Sequence, residues 1–316
     1  MNKILKSIMI KRLSDIIETH HMLLNAQMRM RCKWFMISAL NLLVNQVYAV
    51  WDCKIKYMIF MLNLDVIEVF NHVLHIRLLH TLRMRKTSNY IIEWTCSFLK
   101  DRELLLMFNE QISVMQWVNA DILQEFLISS IFFLFFNASL IKKCKALKIK
   151  IEVLDFINDI NILIYDKITE SICKTLSWAH NVCIKWAWIH NATFASEKYE
   201  FTHFTCKSKR FNMTVNLHIE NLIIKLKSNV WVLEVQLNIK LQWDLHLHQI
   251  EADHVIKMLM LSQLEIFIWE TTFTKARQIY SVMIRSEMTF EALIWHQRDK
   301  EEELLSMKWR LETLQN

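Results

Sequence analysis

Not one of the 316 residues is glycine or proline. Average usage would place about 22 glycines and about 16 prolines in a chain of this length, and chance does not remove both. Their absence excludes collagen-like, mucin-like and flexible-linker classes, which need runs of Gly, Pro or Ser. It also has a physical cost wherever the chain must turn sharply. Glycine supplies positive φ in hairpins and helix C-caps, and proline pre-sets turns. Asn replaces glycine only in part. A purely helical protein could do without both residues, but this sequence also carries strand-like runs.

Other absences narrow the class further. The seven cysteines (32, 53, 96, 144, 173, 183 and 206) are odd in number and form no Cys-x-x-Cys. They read as free thiols, so neither a disulfide framework nor a structural zinc site is expected. Near the N-terminus, Lys3, Lys6, Lys11 and Arg12 interrupt what would have to be an apolar signal-peptide core. The most apolar run, Phe126 to Phe136, falls well short of the roughly 18–20 residues a membrane span needs, so it reads as a buried segment. A mean hydropathy of +0.17 raises a helical membrane protein as a rival reading, which the lack of any long uncharged span opposes.

What is present is core material. Hydrophobic residues make up 53% of the chain, with 12 Trp, 18 Phe and 17 Met, enough for one or two domains and too much for a disordered chain. The net charge of +6 and pI near 8.9 fit a nucleic-acid partner without requiring one.

Apolar residues recur at helical spacing from Ile4 to about Tyr48, and Tyr57 to Val66 is strand-like in length. Helical periods return over Asn71–Leu82 and Tyr90–Leu99. Leu104–Phe108 and Ser113–Val118 read as short strands around Asn109-Glu110. Two β-branched runs, Ile151–Phe156 and Ile160–Tyr165, flank Asn158-Asp159 as a hairpin with polar residues at its tip. Glu170–His190 is helical, Tyr199–Thr205 and Val230–Leu237 are strand-like, and the pattern from His248 onward is helical. Helix and strand alternate without repeats, an α+β arrangement.

Two carboxylates stand out by placement. Asp65 closes an apolar strand and Asp159 sits in the second hairpin. Carboxylates brought together at strand ends can hold divalent ions for phosphoryl transfer, although an Asp at a strand end is also an ordinary turn residue. A rival metal reading would use His72, His75 and His80, or His246, His248 and His254, but these spacings do not repeat one helix face.

Collinear motifs across nearly the whole chain resemble the reverse transcriptases of LINE-type (non-LTR) retrotransposons, especially the fungal group. Asp65-Val-Ile-Glu-Val-Phe70-Asn71 is similar to the family's first catalytic strand, Asp-Val-x-Gly-Ala-Phe-Asp. Phe98-Leu99-Lys100-Asp101-Arg102 resembles its Ser-Phe-Leu-x-Asp-Arg helix ending, and Ile122-Leu-Gln124-Glu125-Phe-Leu127-Ile-Ser-Ser130 its Ile-Pro-Gln-Gly-Ser-Pro-Leu-Ser-Pro. Phe156-Ile157-Asn158-Asp159 stands where the family has Phe-Val-Asp-Asp. Phe194-Ala-Ser196-Glu-Lys198-Tyr-Glu200 is similar to Phe-x-Pro-Glu-Lys-x-Glu, and Val232-Leu-Glu234-Val235 to a Val-Leu-Gly-Val hairpin.

The departures from the family pattern run in one direction. Family Gly stands as Glu68, Glu125, Asp166, Glu234, Asp244 and Glu291, and family Pro as Leu123, Leu127, Ser130, Ser196, Leu245 and Ser286. Arg positions stand as Cys206, Trp231 and Gln242, and a catalytic Asp as Asn158. Each change is reachable by a C→T or G→A transition, which points to a retrotransposon copy hypermutated at the DNA level.

The resemblance implies a right-hand polymerase palm with partial fingers and a helical thumb. It implies partial fingers helices over 1–56, a palm with a fingers insertion over 57–229, and a palm–thumb hairpin with helical thumb over 230–316. It implies RNA-directed DNA polymerase chemistry with Mg²⁺, on an RNA template and DNA primer; it leaves the location within the cell open, the nucleus being compatible with a retrotransposon product. Asp65, Asn158 and Asp159 would be the catalytic positions, with Asp65 and Asp159 the remaining metal carboxylates. Phe70 fits an aromatic that screens sugar 2′-hydroxyls or a core residue; Gln124 fits a nucleotide and template contact. Lys198 fits a lysine near the leaving pyrophosphate or a solvated strand-end lysine. Asn at 158 removes one charged oxygen ligand, and acidic Glu125 would repel a triphosphate, so this copy is expected to be inactive. The chain starts near the family's Lys-Ile-Leu-x-x-Ile helix, so the preceding fingers segment that grips the triphosphate is expected to lie outside this sequence. A non-catalytic nucleic-acid-binding remnant is the alternative, with basic segments at Lys142-Lys143 and Lys207-Lys209-Arg210.

Overall fold

A computed structural model describes residues 2–28, 36–53, 57–67, 70–71, 73–100, 103–104, 107–108, 111–112, 116–117, 122, 127–147, 150–206, 215–219, 222–267 and 273–288. It separates into two compact units, 1–228 and 229–316.

The first unit is built on a mixed sheet. Helices α1 (Asn2–Thr19) and α2 (Met36–Asp52) precede strand β1 (Met58–Ile67), followed by α3 (His75–Met84) and α4 (Asn89–Leu99). Two short antiparallel pairs follow, β2 (Glu103–Leu104) with β5 (Gln116–Trp117), and β3 (Met107–Phe108) with β4 (Gln111–Ile112). Then come α5 (Leu127–Lys145), β6 (Ile151–Phe156), β7 (Asp159–Asp166), α6 (Thr169–His190), β8 (Thr193–Phe194), β9 (Glu200–Phe204), β10 (Asn216–Ile219) and β11 (Leu222–Lys227). The sheet order is β10-β11-β9-β1-β7-β6, with β8 on the end of β1; β11 and β9 run parallel and the other pairs antiparallel.

Burial on both faces explains the continuous apolar runs of the central strands. Phe60, Leu62 and Leu64 of β1 join Ile160, Ile162 and Ile164 of β7 in one core, shared with α5 and α6. On the opposite face Ile59, Met61 and Leu163 are also buried, near α2. Helix α5 is apolar almost all round, and Phe132, Phe133, Phe135 and Phe136 are all buried. No helix among the described residues is long and apolar enough to cross a membrane.

The second unit pairs β12 (Asn229–Val232) with β13 (Val235–Asn238) and continues into α7 (Asp244–Phe267), α8 (Phe273–Ile279), a π-helical turn (Tyr280–Ile284) and α9 (Arg285–Met288). His254 links its parts, with Nδ1 next to the Ile250 carbonyl and Nε2 at 3.0 Å from the Ile284 carbonyl, the ring N–H donating to one or the other according to the tautomer.

Several expectations need correction. The Ile4–Tyr48 helical stretch is two helices, interrupted by the turns after Thr19. The strand that periodicity reads over Val230–Leu237 is a hairpin turning at Leu233-Glu234, the turn that the resemblance to a Val-Leu-Gly-Val hairpin implies. Strands β10 and β11 were not anticipated. Acidic residues at family Gly positions do not uniformly take positive φ: among the described ones only Glu234 does, at 64°. Asp166 ends β7, where the Lys167 N–H, the Ser171 hydroxyl and Lys150 hold its carboxyl below the usual range. Asp244 opens α7, where a carboxylate complements the helix dipole.

Candidate functional site

The site grows from the register of two strands. Asp65 of β1 pairs directly with Asp159 of β7, and Asn63 with Asn161. Side chains two apart share a face. Asp65, Asp159, Asn63 and Asn161 therefore line one side of the sheet, joined by Glu200, which pairs with Asn63 from β9. The turn between β6 and β7 consists of Ile157 and Asn158, because Phe156 pairs with Asp159. Asp159 thus sits on the strand, one residue past the tip where sequence placed it. Ile157 has φ 65°, the first-position geometry that a two-residue turn gives to glycine. This turn aims Asn158 across at β1.

Three segments converge on Asp65. The Val66 N–H donates to the Asn158 carbonyl at 3.0 Å, and the Ala195 N–H donates to the Asp65 carbonyl at 2.9 Å. The side chain is then capped twice: Asn158 Nδ2 donates to Oδ1 at 3.1 Å, and Lys198 Nζ to Oδ2 at 2.7 Å. The Asp65 side chain is 14% exposed and that of Lys198 64%, so the ion pair sits at the lip of the site. The Asp65 carboxylate raises the Lys198 ammonium above its ordinary pKa, with Asp159 and Glu197 adding to the effect.

A 3-10 turn, Ser196–Lys198, delivers the lysine. Its Lys198 N–H bonds back to the Ala195 carbonyl at 3.0 Å. Tyr199 next to it is buried, hydrogen-bonded to His180 Nε2 at 3.2 Å. Beside this, Lys227 donates to Glu200 at 2.8 Å.

Of the other sequence-derived candidates, Phe70 is buried with its ring edge-on to Phe133 at 6.0 Å, a core position. Gln124, Glu125, Glu68, His72 and the Lys207–Arg210 segment lie outside the described residues. Lys142 and Lys143 are exposed on the last turn of α5. The histidine reading gains nothing. His246 and His254 are buried and bonded to backbone, and no three His, Cys, Asp or Glu among the described residues are grouped to hold a metal.

Sequence reasoning missed a buried polar cluster behind the turn. Asp155 accepts from Asn137 Nδ2 at 2.9 Å on both oxygens and from Gln27 Nε2 at 3.3 Å. Gln27 Nε2 also donates to Asn137 Oδ1 and the Leu134 carbonyl, each at 2.7 Å. All three residues are buried. Burial outweighs these donors and pushes the Asp155 carboxyl up to about 7. The cluster joins the turns after α1, helix α5 and strand β6, residues more than a hundred positions apart, which no local pattern could reveal.

Mg²⁺ needs charged oxygens in a near-octahedral shell. Here both Asp65 oxygens already accept from nitrogen donors, and Asn158 presents its NH₂ rather than its carbonyl oxygen. The donor set as arranged does not fit a divalent ion.

The sequence matches no protein-family model and no curated protein. Among solved structures the chain is similar to apo telomerase from Candida tropicalis truncated from its C-terminal domain, at 12% identity and TM-score 0.50 over 74% of this chain and 43% of that one. It is similar to the apo telomerase from Candida tropicalis at 10% identity and TM-score 0.53, covering 74% and 38% of the two chains. Telomerase from Candida albicans in complex with a TWJ fragment of telomeric RNA matches at 12% identity and TM-score 0.54, covering 95% and 52%. The chain spans about half or less of the length of these proteins. At such identities the likeness is one of fold alone, a mixed α/β arrangement around a mixed sheet.

Proposed function

We propose that the chain is a decayed reverse transcriptase domain that no longer polymerises, descended from a LINE-type retrotransposon of the fungal group. In this reading residues 57–229 are the palm, 1–56 partial fingers and 230–316 a palm–thumb hairpin with helical thumb. The observation that supports it is the Asp65–Asp159 pairing beside the Asn158 turn, within a sheet whose fold is similar to that of telomerase. Two carboxylates opposed across antiparallel strands, one residue from a hairpin turn, are placed for phosphoryl-transfer chemistry. Asn158 and Lys198, both bonded to Asp65, remove that capacity.

What remains is a scaffold with a net charge of +6 and exposed lysines on α5, suited to the backbone of RNA. The purified chain is expected to extend no DNA primer on an RNA template with Mg²⁺ beyond the level of an Asp65→Asn control. It is expected to retain RNA in a salt-dependent manner. Primer extension above that control would overturn the inactive reading, and loss of RNA binding even at low salt would remove the nucleic-acid role. The descent is checked on the coding DNA, where transversions among the Gly, Pro and Arg replacements would count against hypermutation.

A further inference from the structure

We infer that Lys198 is a tethered cation that holds the place a divalent ion would have to take on Asp65, making the carboxylate pair self-neutralised rather than merely weakened. The inference rests on reading the pair as a former metal site, and goes beyond it by naming the group that competes with the ion: a lysine the family pattern shares, which prevails here because Asn158 has replaced a carboxylate.

The sequence change at position 158 explains only half of the closure. Losing one carboxylate lowers the charge available to a cation but leaves Asp65 open. The structure adds a 2.7 Å ion pair from Lys198 Nζ to Asp65 Oδ2, while Asn158 Nδ2 takes Oδ1 at 3.1 Å. An ion bound to Oδ2 would lie only a few ångströms from the ammonium, where like charges repel strongly. Asp159 and Glu197 lend their fields to the same ammonium, so its charge is well matched without any metal.

Lys198 is also held rather than dangling. The buried Tyr199 beside it, the Lys198 N–H to Ala195 carbonyl bond and the Ala195 N–H to Asp65 carbonyl bond fix its backbone against β1. With the backbone already fixed, only the rotamer entropy of the lysine side chain opposes the pair. Because Lys198 is 64% exposed, the closure is a competition, and removing the lysine should reopen the site.

The test is a Mn²⁺ titration of the purified full chain, following the loss of the free-ion electron paramagnetic resonance signal. Lys198→Met should bind Mn²⁺ at least about tenfold more tightly than the unaltered chain, because it removes a like charge a few ångströms from the ion. Adding Asn158→Asp should tighten it further by restoring a charged oxygen, and Asp159→Asn in that background should abolish the gain. Lys198→Gln serves if the Met variant fails to fold, judged by circular dichroism. Equal Mn²⁺ affinity with and without Lys198, whether both bind or neither does, overturns the inference. RNA retention by the unaltered chain reads the functional proposal separately: its loss alongside a Lys198 effect would sink that proposal and leave the tethered cation standing.

Discussion

At the scale of single residues, the missing glycines leave a visible trace. Among the described residues, seven take positive φ: His21, Lys86, Ile157, Asn191, Leu233, Glu234 and Leu241. Three of them end helices. After α3, the Thr87 N–H bonds the Leu82 carbonyl and the Lys86 N–H the Arg83 carbonyl, the two bonds of a Schellman ending with Lys86 where glycine is usual. His21 after α1 repeats both bonds, with His21 N–H to Glu18 carbonyl and Met22 N–H to Ile17 carbonyl, while after α6 the Asn191 and Ala192 N–H groups both go to the Ala187 carbonyl. The left-handed conformation costs an ordinary residue about 1–2 kcal/mol, while glycine costs about 0.4–1 kcal/mol in unfolded-chain entropy. Strain therefore wins only where no side-chain burial is lost. Ile157, Leu233 and Leu241 are buried, so glycine there would forfeit roughly 2 kcal/mol of packing and gain nothing net. His21, Lys86 and Glu234 are exposed. Lys86→Gly and Glu234→Gly are each expected to stabilise by about 0.5–1 kcal/mol in urea unfolding, and Ile157→Gly to be neutral or destabilising. Stabilisation by all three alike would show that burial at Ile157 contributes little.

At the scale of elements, helix α6 separates what the sequence disclosed from what it did not. Its span, read as Glu170–His190, is Thr169–His190, because Ile172, Leu176, Ala179, Cys183 and Trp186 recur at helical spacing and mark a buried face whatever lies at the ends. The same helix tests burial against composition. Trp186 is 1% exposed, edge-on to Phe136 at 5.6 Å and donating to Ser139 Oγ, whereas Trp188 is 86% exposed. Trp186→Ala should cost about 3–5 kcal/mol and Trp188→Ala under about 0.5 kcal/mol by urea unfolding. Similar losses at both would contradict the packing described. Strands β10 and β11 escaped the sequence reading although both alternate, as in the exposed–buried pattern of Asn216–Ile219. They are short, and in a chain without Gly or Pro the punctuation that sets a short strand apart from its flanks is gone. The β6–β7 hairpin was legible from its β-branched runs. Its turn was placed one residue late because Asn158-Asp159 offered the polar pair expected of a turn, while the chain turns at apolar Ile157.

At the scale of the whole molecule, two buried groups pull the stability of the first unit in opposite directions with pH. Asp155, pushed up to about 7 by burial, binds its proton more tightly folded than unfolded. Stability therefore falls as pH rises from about 4 to about 7, by at most on the order of 4 kcal/mol. His203, stacked on Phe60 at 4.3 Å, is driven by burial down to about 4. Its proton is bound more tightly in the unfolded chain, so its contribution is fully present above about 6.5 and is lost as pH falls toward 4. Burial likewise lowers His190 in the same unit, adding to the histidine side. Because the windows overlap, the unaltered chain should show a shallow stability profile between pH 4 and 7. That flatness would conceal both groups. Asp155→Asn keeps an oxygen to accept from Asn137 and removes the titration. The variant should exceed the unaltered chain in stability at pH 8, and the difference should shrink steadily toward pH 4 as Asp155 takes up its proton. Urea unfolding at pH 5 and pH 8 decides it. A difference that is the same at both values would mean that Asp155 carries no titrating charge in the fold, and that the Gln27–Asn137–Asp155 cluster acts through geometry alone.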